Sequence, residues 1–217
     1  MWKGLAAVLV TIALAAAPAA AQGAGNVRIA VRPDSRLWIE GGANVGSWSC
    51  SARQFEALVL VDTGYHRDRG TLSALHANLR EVEVRVRVRA LTCGNPVMDG
   101  DLYGALKAKG KNDSSIIVGR FDVAQPAAGD AAVLRTAGSL TVVGVERSVA
   151  MDITLDRLAD GTLRTRGSVP MKMTDFGIRP PTAMLGLVKT RNELTVRFEL
   201  LVDPRILAQA ADGDGGH

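Results

Sequence analysis

The sequence predicts an all-β, antiparallel fold, and three stretches carry that prediction. Glu81 to Ala90 (EVEVRVRVRA) alternates Val82, Val84, Val86, Val88 and Ala90 with Glu83, Arg85, Arg87 and Arg89. In the stretch from Leu163 to Met173, Leu163, Thr165, Val169, Met171 and Met173 share one parity; Arg164, Arg166 and Lys172 share the other. Downstream, Leu194, Val196, Phe198, Leu200 and Val202 alternate with Thr195, Arg197, Glu199 and Asp203. Successive side chains on a strand point to opposite faces, so each stretch has one apolar face for a core and one charged face for water.

The chain opens on a different kind of segment. Lys3 is followed by an uncharged, mostly apolar run from Leu5 to Ala17 and by the small residues Ala19-Ala20-Ala21. That order predicts a secretory signal peptide over 1–21, and the run is shorter than the roughly 20 residues a membrane span needs. Gln22 follows the expected cut, not a cysteine that would carry a lipid anchor. After cleavage no stable membrane insertion is expected. The 196 residues from Gln22 to His217 suit one domain, over 22–207, with a Gly/Asp tail at 208–217. The mature formal charge is about +3. Its arginines are spread along strands, and only 4% of residues are aromatic, so no nucleic-acid partner is expected.

Val27 to Arg32, Leu37 to Gly41, Val45 to Ala52 and Phe55 to Asp62 supply strand material, with a turn at Gly41 to Asn44. Thr63 to Gly70 is expected to be a loop. A helix is predicted over 99–109: Asp99 or Asp101 caps it, Leu102, Ala105 and Leu106 give an i, i+3, i+4 stripe, and Gly110 ends it. Ser114 to Val123 reads as a strand, Pro126 to Asp130 as a turn and Ala131 to Val143 as the next strand. Gly144 to Arg147 looks like a hairpin turn, and Val149, Met151, Ile153 and Leu155 then alternate with Ala150, Asp152 and Thr154. Between the last two strands, Gly177 and Pro180-Pro181 break the pattern.

The order Gly138-Ser-Leu-Thr-Val-Val-Gly-Val, an alternating strand, Asp175-Phe176-Gly177-Ile178 and a closing strand resembles the YceI-like family of secreted lipid-binding barrels, over Ser35 to Asp203. The resemblance implies a lipocalin-like antiparallel β-barrel of about eight strands, with one short helix at a barrel mouth. It also implies a polyisoprenoid lipid inside the barrel and a periplasmic or secreted location. The lumen positions it implies, where the strand pattern matches, are Ile116, Val118, Leu140, Val142, Met151, Ile153, Met171, Met173, Phe176, Val196 and Phe198. Met98 is a further candidate for the inner face.

Two cysteines, Cys50 and Cys93, stand in a chain expected to be exported, where a lone pair usually bonds. A bond would close a loop of roughly 43 residues, worth about 3–4 kcal/mol in the chain-entropy view. The alternative is a pair of buried free thiols. No further Cys or His is spaced to complete a metal site with them. Asp175-Phe176-Gly177 also occurs in protein kinases, but the Gly-rich loop, strand lysine and His-Arg-Asp loop are missing. His66, His76 and His217 have no Gly-x-Ser-x-Gly elbow beside them, and no cofactor fingerprint is present. The chain is therefore expected not to be an enzyme, and the resemblance implies a binding protein with an apolar lipid such as an isoprenoid quinone or polyprenyl compound as partner. Methionines suit such a flexible ligand, but periodicity alone favours a self-filled core, and it is the resemblance that shifts the balance towards a lipid-holding lumen. A self-filled core would make the protein an interaction or stress-protection module. A hydrolase using His66 or His76 is the third reading.

Overall fold

The computed structural model describes residues 25–29, 31–61, 79–110, 113–123 and 133–203. The expected export signal (1–21), the loop at 63–70, the turn at 126–130, the tail at 208–217 and all three histidines lie outside these residues.

The described residues form twelve strands: β1 (Gly25–Ile29), β2 (Arg36–Ala43), β3 (Gly46–Ala52), β4 (Glu56–Val61), β5 (Leu79–Arg87), β6 (Leu91–Thr92), β7 (Ile116–Val123), β8 (Val133–Val142), β9 (Val145–Arg157), β10 (Leu163–Lys172), β11 (Thr182–Ala183) and β12 (Val188–Val202). Six of them are halves of three bent staves. β3 and β4 pair in sequence with β6 and β5, as Ser51↔Thr92, Ala52↔Leu91 and then Glu56↔Arg85. β2 and β1 pair along the other side of the same β3–β4 segment. Three bent staves and β7, β8, β9, β10 and β12 make eight. Each is antiparallel to the next, and β12 returns to β2, so the ladder closes. Closure removes the unpaired edges an open sheet would expose.

The charged faces lie outside and the apolar faces inside. Val82, Val84 and Val86 face the lumen, as the alternation of 81–90 requires. That alternation does not continue as strand to Ala90: Val88 to Ala90 form one 3₁₀ turn, after which Leu91 is turned inward with 1% of its surface exposed. The hairpin turn is also two residues earlier than expected, over 142–145 and not 144–147. Val143 and Gly144 hold φ of 53° and 76°, the two positive values of a type I′ turn, and Val142 pairs with Val145.

The helix, α1, spans Pro96–Ala105 and not 99–109. Its cap is Asn95, whose side chain accepts from the Val97 and Met98 amides, with Pro96 at the first position where a missing N–H costs nothing. Asp99 is engaged elsewhere, accepting from the Cys93 amide (2.5 Å) and the Thr92 hydroxyl (3.0 Å). Tyr103 donates to the Leu91 carbonyl at 2.7 Å, and the Arg89 guanidinium lies 4.2 Å from its ring. A Cys50–Cys93 disulfide fixes the strand leading into the helix to β3.

Connections alternate between the two ends of the barrel. The β2–β3 and β8–β9 turns, α1 and the β10–β12 connection share one end, here the helix end. The buried cluster of Leu134, Met151, Ile153, Leu155, Leu163, Val169 and Val202 fills the opposite end.

Glu83 is a charged exception, 9% exposed on the outer wall. It accepts from Arg85 and, at 2.6 Å, from Arg120 of the neighbouring strand. Burial pushes its carboxyl pKa up, but the two guanidinium hydrogen bonds outweigh that and leave it below 4.5. A depressed folded pKa gives stability that is present above the unfolded value and is lost as pH falls through the folded one. Thermal melts below about pH 4.5 should therefore lose stability more steeply in the parent protein than in Glu83→Gln; equal slopes would remove Glu83 from the acid response.

Candidate functional site

A cavity of about 470 Å³ runs down the barrel axis. Its walls alternate into it from every stave: Leu37 and Ile39 of β2, Trp48 of β3, Val82, Val84 and Val86 of β5, Ile117 and Phe121 of β7, Leu140 and Val142 of β8, Met151 and Ile153 of β9, Val169 and Met171 of β10, and Val196 and Phe198 of β12. Leu134, Leu155, Leu163 and Val202 close it below, all buried and none on its wall. The cavity opens at the helix end, between Met98 and Asp101 of α1, the turn around Val45 and the segment from Pro181 to Val188.

Aspartate-phenylalanine-glycine-isoleucine shapes that end. Met173 to Phe176 form a 3₁₀ turn stopped by Gly177, whose φ of 67° puts it in the left-handed region, and the Gly177 amide bonds back to the Met173 and Thr174 carbonyls. The turn lays Met173, Phe176 and Ile178 inward, at 7%, 3% and 8% exposure. Asn192 of β12 holds it there, accepting from the Thr174 amide and donating to its hydroxyl.

Leu140, Val142, Met151, Ile153, Met171, Met173, Phe176, Val196 and Phe198 all lie on the cavity wall, as does Met98. Ile116 and Val118 do not, and their placement in the lumen is corrected. β7 has the opposite parity: Ile117, Gly119 and Phe121 point inward, and Ile116 is 45% exposed. The inner position at 119 has no side chain because the Phe121 ring covers it; an added Cβ would sit 2.8 Å from that ring. The same device recurs at Gly167, where a Cβ would come within 2.4 Å of Phe198. Leu37, Ile39, Trp48, Ile117 and Phe121 are wall residues that sequence reasoning missed. Leu37 and Ile39 carried a readable sign, a shared parity opposite Glu40.

Polar groups on the wall are few. Thr136 is buried but donates to the Met151 carbonyl at 3.0 Å, so it offers no free donor to a ligand. Ser47, Thr165 and Thr190 are the other hydroxyls. Among the described residues the charged wall groups are Asp101 and Lys172, and both belong to the helix end. No group of His, Cys, Asp and Glu among the described residues could hold a metal ion.

The YceI-like domain family matches the chain over residues 49–201. The chain belongs to that family. Residues 36–48 lie outside the matched span, yet β2 closes the barrel by pairing with β12. Two solved structures share the fold of this YceI-like chain. A polyisoprenoid-binding domain of Saccharophagus degradans, implicated in plant cell wall breakdown, is 12% identical and has a TM-score of 0.57, covering 83% of this chain and 98% of that one. BcnA of Burkholderia cenocepacia is 17% identical and has a TM-score of 0.55, covering 80% of this chain and 99% of that one. No curated protein sequence matches the chain.

Proposed function

We propose that this YceI-like protein binds and carries an apolar isoprenoid-type lipid, with the tail in the lumen and the head group at the helix end. The cavity carries this reading. Its volume falls in the range of small-molecule sites, about 300–1,000 Å³, and its wall is apolar down to a closed floor. Such a space costs stability when dry and empty, because lining atoms lose dispersion partners. It therefore supports a ligand-holding lumen over a self-filled core. Asp101 and Lys172, at the lip, are the charged groups within reach of a head group.

The hydrolase reading finds no support in the lumen. Among the described residues the wall holds one carboxylate, Asp101, and no histidine. Family membership and the likeness to a polyisoprenoid-binding domain support binding over catalysis. Work in the periplasm or outside the cell accords with the Cys50–Cys93 disulfide, since disulfides persist in oxidising compartments. No helix among the described residues is long and apolar enough to cross a membrane.

Organic extraction of the purified protein followed by mass spectrometry tests the reading. An isoprenoid lipid in near-equimolar amount is the expected result. No extracted lipid, together with no uptake of geranylgeraniol by the extracted protein, would replace the carrier with the self-filled module.

A further inference from the structure

Seven large apolar residues are exposed among the described residues, and all but Val133 belong to the helix end. Leu185 is 106% exposed, Leu187 74%, and Met184, Val45 and Val97 71% each. They stand on the β10–β12 connection, the β2–β3 turn and the first turn of α1, which are the elements around the cavity opening. The connection spends backbone energy to display them. Met184 and Leu185 have φ of 51° and 56°, a left-handed conformation that residues with a Cβ adopt at a cost. Asn44 fixes the segment from below: its side chain donates to the Leu187 carbonyl at 2.8 Å and accepts from the Lys189 amide at 2.8 Å. In water alone nothing compensates for holding leucines outward in this way.

From these observations we propose that the exposed apolar tips around the opening dock the barrel on an anionic phospholipid surface, mouth down. The inference rests on the carrier reading. A ligand that fits an apolar cavity does not travel free in water, so its source and destination are lipid phases, and the opening must meet one. Separate projecting tips suit shallow entry among head groups and acyl chains, as interfacial segments do. Charge fits the same partner. Between residues 172 and 193 the exposed cations Lys172, Arg179, Lys189 and Arg191 outnumber the exposed acids Asp175 and Glu193. Among the described residues none of the four cations is ion-paired.

Flotation with phosphatidylcholine vesicles, with and without phosphatidylglycerol, tests the docking surface. A parallel titration adds geranylgeraniol from ethanol, which reaches the lumen without a bilayer. The variants are Leu185→Asp/Leu187→Asp and the milder Leu185→Asn, both compatible with a left-handed residue at 185 because Asp and Asn tolerate it. Expected is flotation of the parent protein, stronger with phosphatidylglycerol, and a loss of roughly tenfold or more in the double variant. Its melting temperature and geranylgeraniol uptake should stay unchanged. Equal flotation of parent and double variant would overturn the proposal. So would a parent protein that floats with neither vesicle, the outcome expected if the tips serve a protein partner. Flotation as expected with no geranylgeraniol uptake would keep the docking surface and remove the carrier.

Discussion

Val86→Asp should destabilise the barrel by roughly 3–5 kcal/mol, the scale of an unpaired charge forced into an apolar site. Val86 is 5% exposed. It shares a buried cluster with Val88, Leu91, Leu106, Val142, Met173, Phe176 and Ile178, none of which can pair a carboxylate. Its outward neighbour Arg87 is exposed, and Arg87→Ser should change stability by about half a kcal/mol or less. One residue thus separates a severe change from a near-silent one, because a single step along a strand reverses the face. Denaturant midpoints of the two variants measure the difference. Comparable losses would mean that β5 does not divide lumen from solvent.

The same step explains what was legible in the sequence and what was not. β5, β10 and β12 carry charge on every second or third residue of one parity, so their outer faces announce themselves. β7 carries the same mark only in its second half: Arg120 and Asp122 share the parity of Ile116 and Val118 and label that face as outer, whereas Ile116, Ile117 and Val118 are all apolar and the next inner position, Gly119, has no side chain. Its inner place is filled instead by the Phe121 ring, a contact only the folded chain shows. The 3₁₀ turn at Val88–Ala90 interrupts an unbroken alternation and leaves no trace in periodicity. The helix start was more readable than the expectation made it: Asn95-Pro96 is an ordinary cap followed by a first-position proline, whereas Asp99 looked like a cap and serves the β6–α1 corner. The cavity itself has no sequence signature. Alternation identifies which side chains point inward, and only the barrel's dimensions decide whether opposite walls touch.

Met171→Trp should expel lipid while leaving the fold largely intact, and it separates cavity from core more sharply than any deletion. Met171 faces the lumen on β10, opposite Leu194 of β12. It packs against the cluster that closes the floor and against the cluster beneath α1, so it stands where the two halves of the lumen meet. A tryptophan there adds bulk without charge. In a filled core that bulk would force off-rotamer side chains and cost about 1–3 kcal/mol. In the open space of the lumen it should cost less than about 1 kcal/mol, since new contacts replace absent ones. The ligand, however, would lose the middle of its path, with tail volume on one side of the ring and the mouth on the other. Two measurements decide: the melting temperature of the delipidated protein, and the amount of isoprenoid lipid extracted after purification or geranylgeraniol bound on titration. Retained stability with most lipid lost places the ligand at Met171. A marked drop in stability, with no lipid in the parent protein, would make Met171 a core residue and return the fold to the self-filled module.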